Sequence, residues 1–199
     1  MIQNIDEQSQ QYTITVFTED KVGLLNRITI VFTRRNLNID SLTTSESEVK
    51  GIFRYTIVAK CTPSLIKKVV DQIEKLTEVL RAFYYVEDEV ISQEVALYKV
   101  SSQSIKKGDL SMNKIIHDAS ARILDIEDGF FVIEKTGFKD ETQKLFEQLK
   151  PYGILQFARS GRVAVTKPMK ELTTYLQELN KAAETSNKIR DWKLSNIGK

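Results

Sequence analysis

One cysteine and one histidine stand among the 199 residues of the chain, and their scarcity removes several kinds of chemistry at once. Cys61 has no second thiol for an internal disulfide, and one His with one Cys cannot furnish the three or four side chains that a zinc site needs. Ser/His and Cys/His nucleophilic schemes are reduced to one candidate, His117. It lies in SMNKIIHDAS, which reads as a helix, with no nucleophile-elbow glycine pattern beside it. No apolar run approaches the ~20 residues that span a bilayer. The opening MIQNIDEQSQQ is polar and acidic where a signal peptide has a basic start and an apolar stretch. The expectation is a soluble cytoplasmic protein with no membrane partner and no metal of its own. A charge excess is also missing. The formal net charge is +2, divided as −2 over 1–91, +1 over 92–166 and +3 over 167–199, so no region has the basic surplus that binding a phosphate backbone relies on.

What is present is a repeated pattern, in a chain whose 41% hydrophobic content suits one large domain or two small ones. YTITVFT (12–18) alternates like a strand, and EDKVG turns it into LLNRITIVFTRRN. There Leu24, Leu25, Ile28, Val31 and Phe32 recur at helical spacing, with Arg34, Arg35 and Asn36 closing the end. LNIDSLTTSES and GIFRYTIVAKC flank a hairpin turn at Glu48-Val49-Lys50-Gly51. Pro63 and Ser64 open a second helix whose Leu65, Ile66, Val69, Val70, Ile73 and Leu76 form its inner side, and VLRAFYYVE (79–87) reads as a fourth strand. The order β-α-β-β-α-β places two helices on one face of a four-stranded antiparallel sheet, the ferredoxin-like arrangement of the α+β class. The other face then carries some of Tyr12, Phe17, Phe53, Tyr55, Phe83 and Tyr85, according to register, and needs a ligand, another domain or a second chain to cover it.

From Val95 the order recurs. VALYKVS is a strand, a polar SQSIKKGDL leads into a helix near 109–119, and ARILDIE with FFVIEKTG forms a hairpin around Asp128-Gly129. FKDETQKLFEQLK is a helix presenting Phe138, Thr142, Leu145, Phe146 and Leu149 and ended by Pro151, and ILQFARSGRVAVTK is the terminal strand. The reading is therefore two tandem ferredoxin-like βαββαβ domains, 1–91 and 92–167, divided at the polar stretch 91–94. A helical tail, 168–199, follows, with Met169, Leu172, Leu176, Leu179 and Ala183 on one stripe that needs burial against a neighbouring domain or chain.

The most informative segment is the loop Glu19-Asp20-Lys21-Val22-Gly23-Leu24-Leu25. A loop entering a helix offers unpaired N–H groups at the positive end of the helix dipole, and a glycine there lets a ligand carboxylate approach the backbone. The same residues also permit a plainer reading, in which Asp20 caps the helix and Gly23 only makes the turn. The segment T-E-D-K-V-G-L-L-N-R-I, followed by F-T-R-R-N-L-N-I-D-S-L, resembles the ACT regulatory domain of the acetolactate synthase small subunit, as Ala121–Asp125, Glu134–Gly137 and GILQFARSG (153–161) resemble that family's C-terminal domain. The resemblance spans about residues 12–166.

It implies an effector site built from Asp20, Val22, Gly23, Leu24 and Leu25 of one chain, with Asn38 and Ile39 from a facing chain. The implied effector is a branched-chain amino acid, usually valine. Backbone N–H groups would take its carboxylate, oxygens its ammonium and an apolar niche its side chain. The resemblance also implies a non-catalytic regulatory subunit, at least dimeric, that activates a large catalytic subunit and confers feedback inhibition on it. The thiamine diphosphate, magnesium and FAD reside on that partner. Two positions differ from the family pattern: Asp20 replaces an asparagine and Val22 a proline. An aspartate repels a carboxylate unless its side chain turns toward the ammonium or the helix end. A free-standing amino-acid sensor of the same fold is the alternative, separated from the first reading by co-purification with a large subunit. RNA recognition modules share the βαββαβ order, and Lys50-Gly51-Ile52-Phe53-Arg54-Tyr55 is superficially similar to their base-stacking strand. Its aromatic spacing is partial and its domain acidic.

Overall fold

The computed structural model describes residues 8–104 and 111–167. The first unit runs β1 (Gln10–Glu19), α1 (Leu24–Thr33), β2 (Ser41–Glu46), β3 (Ile52–Cys61), α2 (Pro63–Ile73) and β4 (Val79–Val86). Its antiparallel sheet has the order β2-β3-β1-β4. Both helices seal one face, where Ile14, Val16, Ile57 and Ala59 of the central strands meet Leu24, Ile28 and Phe32 of α1 and Ile66, Val69 and Ile73 of α2. Thr62 starts α2 by accepting a hydrogen bond from the Leu65 N–H on its hydroxyl, with Pro63 in the first turn. The hairpin expected at 48–51 is present, and its Gly51, at φ +80°, donates its N–H to Glu46 Oε1 at 3.1 Å.

The second unit repeats the first: β5 (Val90–Ser101), α3 (Ser111–Asp118), β6 (Arg122–Glu127), β7 (Phe130–Gly137), α4 (Lys139–Leu149) and β8 (Ile154–Arg159), in sheet order β6-β7-β5-β8. The likeness extends to helix ends. After α1, Asn36 sits at φ +51° while Leu37 N–H bonds to Phe32 O; after α3, Ser120 sits at φ +51° while Ala121 N–H bonds to Ile116 O. Both are the left-handed stop that lets the chain turn back toward the sheet. The core joins Ala96, Tyr98, Val100, Ile133, Leu145 and Leu149.

Three details differ from the sequence reading. The polar stretch 91–94 contains no loop. It lies within β5, because Ser92 and Glu94 alternate inward with Val90 and Ala96 and are buried. The terminal strand expected over 154–167 is broken at Ser160-Gly161-Arg162 into β8 and a separate β9 (Val163–Thr166), which pairs with the first residues of β5. Finally, Phe138 precedes α4 and is 56% exposed, so Thr142, Leu145 and Leu149 bury that helix without it. The tail over 168–199, and the helix start expected at 109–110, lie outside the described residues.

Register settles the other face of the first sheet. Thr13, Thr15 and Phe17 of β1 share it with Arg54, Thr56 and Val58 of β3 and with Arg81, Phe83 and Tyr85 of β4, whereas Tyr12, Phe53 and Tyr55 turn toward the helices. Thr13, Thr15 and Phe17 are nevertheless at most 1% exposed. Part of the cover comes from the chain itself, since the segment from Ser160 to β9 crosses this face. There the Arg54 Nη2 donates to Ala164 O at 2.5 Å, and the Arg162 Nη1 donates to Thr13 Oγ1 at 3.1 Å.

Candidate effector-binding site

The loop between β1 and α1 is held at both ends. Glu19 N–H bonds to Glu78 O at 3.0 Å, and Arg27 of α1 pairs with the Glu78 carboxylate at 2.6 Å. The Arg27 hydrogen bond holds the Glu78 carboxyl below the ordinary range. Between these anchors Gly23 occupies the N-cap at φ +80°, with nothing within 4 Å of where a Cβ would be. No side chain caps the helix, and no acidic residue stands in its first turn. The plainer reading of Asp20 as a helix cap is thereby corrected: its exposed carboxylate stays clear of the first turn, because Lys21 O takes the Leu24 N–H and forms the entry turn. What results is an open helix N-terminus whose backbone can face an anion.

The other expected residues divide by role. Leu24 is fully buried in the core beneath the loop, Leu25 is 40% exposed beside it and Val22 projects into solvent. Leu25, placed on the inner stripe by its spacing, thus lies at the stripe's edge. Asn38 is exposed and Ile39 half-buried against the core, in the short connection from α1 to β2. A ten-residue helix is about 15 Å long, and α1 separates the two groups by that length. One chain therefore does not bring Gly23 and Asn38 together. Each chain presents the two groups of expected site residues at opposite ends of one helix.

A polar joint between the units went unread in the sequence. The Arg162 side chain, 11% exposed, reaches Thr13 Oγ1, Gln11 Oε1 at 3.2 Å and Glu87 Oε2 at 2.7 Å. Nearby, Arg159 pairs with the buried Glu94 at 3.4 Å. Burial lowers the pKa of Arg54, whose guanidinium lies 5.7 Å from the Phe17 ring centroid. The available sequence signal was one arginine within the otherwise small and apolar SGRVAVT.

His117 is exposed at the end of α3, and Cys61 is buried, with desolvation pushing its thiol pKa up. Among the described residues no three His, Cys, Asp or Glu side chains converge as a metal site, and no helix is long and apolar enough to cross a membrane.

Two ferredoxin-like units in tandem, the first with a glycine-opened helix N-terminus at its β1–α1 loop, define a protein of the ACT-domain class. Family comparison makes this specific. Residues 14–81 match the family described as the AHAS small subunit-like ACT domain, and residues 93–168 match that described as the small subunit of acetolactate synthase. The acetolactate synthase small subunit of Mycolicibacterium smegmatis is 33% identical over 156 residues, covering 78% of this chain and 91% of that protein. The Bacillus subtilis small subunit is 32% identical over 155 residues, covering 77% and 89%. The crystal structure of the Thermotoga maritima small subunit superposes with a TM-score of 0.72 over 81% of this chain and 99% of that one, at 24% identity. The chain belongs to the acetolactate synthase small subunit family.

Proposed function

We propose that this chain is the non-catalytic regulatory subunit of an acetolactate synthase: it activates the large catalytic subunit and makes it sensitive to a branched-chain amino acid, valine first among them. The observation that carries the reading is the uncapped N-terminus of α1 behind Gly23, within a domain that matches the family's ACT domain. In this reading the Leu25 and neighbouring first-turn amides take the ligand carboxylate, Leu25 and Val22 flank its side chain, and Asn38 with Ile39 of a second copy close the pocket. The Asp20 carboxylate faces the ammonium. The separation of the half-sites along α1 supports a dimer, since two chains in opposed orientation would bring one's Gly23 to the other's Asn38.

The thiamine diphosphate, magnesium and FAD of the reaction belong to the large subunit in this account, and the complex works in the cytoplasm. Support comes from the chain's lack of a phosphate-binding glycine motif and from its single histidine. An exposed apolar strip on the second unit, Ile91, Val95, Val163 and Val165, is the kind of surface that marks association with another protein. Calorimetry with L-valine together with sedimentation of the isolated chain tests the site: the account expects saturable binding by a dimer. A strict monomer that binds no branched-chain amino acid would overturn it.

A further inference from the structure

The covalent link between the units leaves from β4, at one edge of the first sheet, whereas Asn38 and Ile39 lead into β2, at the opposite edge. The second unit reaches β2 through the break between β8 and β9. We propose that this three-residue strap, Ser160-Gly161-Arg162, is the element that transmits effector occupancy from the first unit to the second. The proposal deepens the regulatory reading above and rests on it.

Three observations carry it. First, the strap is bonded to both units at once. Ser160 is tied to β5, its N–H donating to Val95 O at 2.8 Å and its hydroxyl accepting from the Val95 N–H at 2.9 Å. Two residues on, the strap is tied to β2: the Arg162 N–H donates to Ser41 Oγ at 3.0 Å, and the Thr43 hydroxyl donates to Arg162 O at 2.9 Å. Second, the contact has no slack. A Cβ at Gly161 would stand 2.6 Å from Thr43 Cγ2, 2.7 Å from Ser41 Oγ and 3.2 Å from Leu42 O. With no room between them for one further carbon, β2 cannot shift far toward the strap without moving it, because close-packed contacts change arrangement rather than compress. Third, the Arg162 guanidinium is clamped by Gln11, Thr13 and Glu87. The strap therefore cannot swing away as a free loop.

The chain of contacts is short: Asn38 and Ile39, then Asp40, whose N–H starts the β2–β3 ladder on Val58 O, then Ser41 and Thr43, then Gly161 and Arg162, then Val95 on β5. An effector that binds one position of the Asn38 segment better than another biases the contact at Gly161 toward that position, which is what coupling requires.

The test is amide hydrogen exchange on the full chain, with and without saturating L-valine, for wild type, Gly161→Ala, Arg162→Met and the milder Ser41→Ala, followed by L-valine inhibition of the complex reconstituted with the large subunit. In wild type, L-valine should slow exchange both at 38–46 and at 160–166. In the variants the slowing at 38–46 should persist, that at 160–166 should fall about fivefold, and maximal inhibition should drop while the L-valine Kd stays within about twofold. Wild-type depth of inhibition in all three variants would overturn the strap's role, as would loss of L-valine binding in step with loss of inhibition. Ser41→Ala keeps the test decisive if the other two changes unfold the chain. Absence of any L-valine protection in wild type would sink the effector reading itself, and with it this proposal.

Discussion

At the residue scale, Gly23 combines two demands that no other residue meets as well. It takes a positive φ at the head of α1, and it leaves the space before the helix empty. In Gly23→Asp the added Cβ meets no atom of its own chain, so beyond the strain of the positive φ the effect should fall on the ligand: a carboxylate at the helix N-terminus would repel that of the proposed effector. Binding of L-valine should weaken at least about tenfold, or about 1.4 kcal/mol. Gly23→Asn, neutral and tolerant of the left-handed conformation, should lose much less. Calorimetry on both separates charge from backbone strain, and equal losses would assign the effect to strain.

Tyr98 makes a different residue-scale prediction. It is fully buried in the second core, its hydroxyl donates to Thr142 O at 2.6 Å, and burial pushes its pKa up to about 12. A group whose folded pKa is raised stabilises the fold below its unfolded pKa, here 10, and loses that contribution as pH rises toward the folded value. Alkaline unfolding should therefore set in between these two values, with one tyrosinate absorbance step arriving with unfolding. Tyr98→Phe should be less stable at neutral pH, by about 1 kcal/mol for the lost hydrogen bond, and less sensitive to alkali. Identical alkaline midpoints for the two proteins would contradict this.

At the scale of elements, the Arg27–Glu78 pair fixes the entry of α1 against the start of β4. Because the Glu78 carboxyl is depressed below its ordinary value of 4.5, its contribution is full above that value and lost as pH falls through the folded one. The Tm difference between wild type and Glu78→Gln should be present at neutral pH and close in acid. A gap independent of pH would show that the pair does not act through charge.

The elements of both units were legible because strands of period 2 and helices of period 3.6 bury one face each. The left-handed residues Asn36 and Ser120, and the turn glycines, confirmed the stops. What failed to show was set by distance along the chain. Ser92 and Glu94 look like linker residues until β9 pairs beside them, and Arg162 finds Thr13 and Gln11 149 and 151 residues away. The turn into α1 was legible from one glycine. That Asp20 leaves the helix uncapped depends on the fold of the turn, where a backbone carbonyl took the place offered to a side chain.

At the scale of the whole molecule, one sheet face of the first unit is covered in part by the second unit, and the two groups of proposed site residues lie at opposite ends of α1. The first fact makes the units a jointed pair; the second makes the single chain half of a site in the proposed account. Both fit the proposed function, in which an amino acid bound between copies would alter a partner that carries the chemistry. The most direct measurement is acetolactate formation by the purified large subunit, with and without this chain, across a titration of L-valine. The account predicts a faster rate on addition of the chain and a rate that then falls with L-valine, while the large subunit alone responds to neither. An unchanged rate together with unchanged sensitivity to L-valine would contradict it.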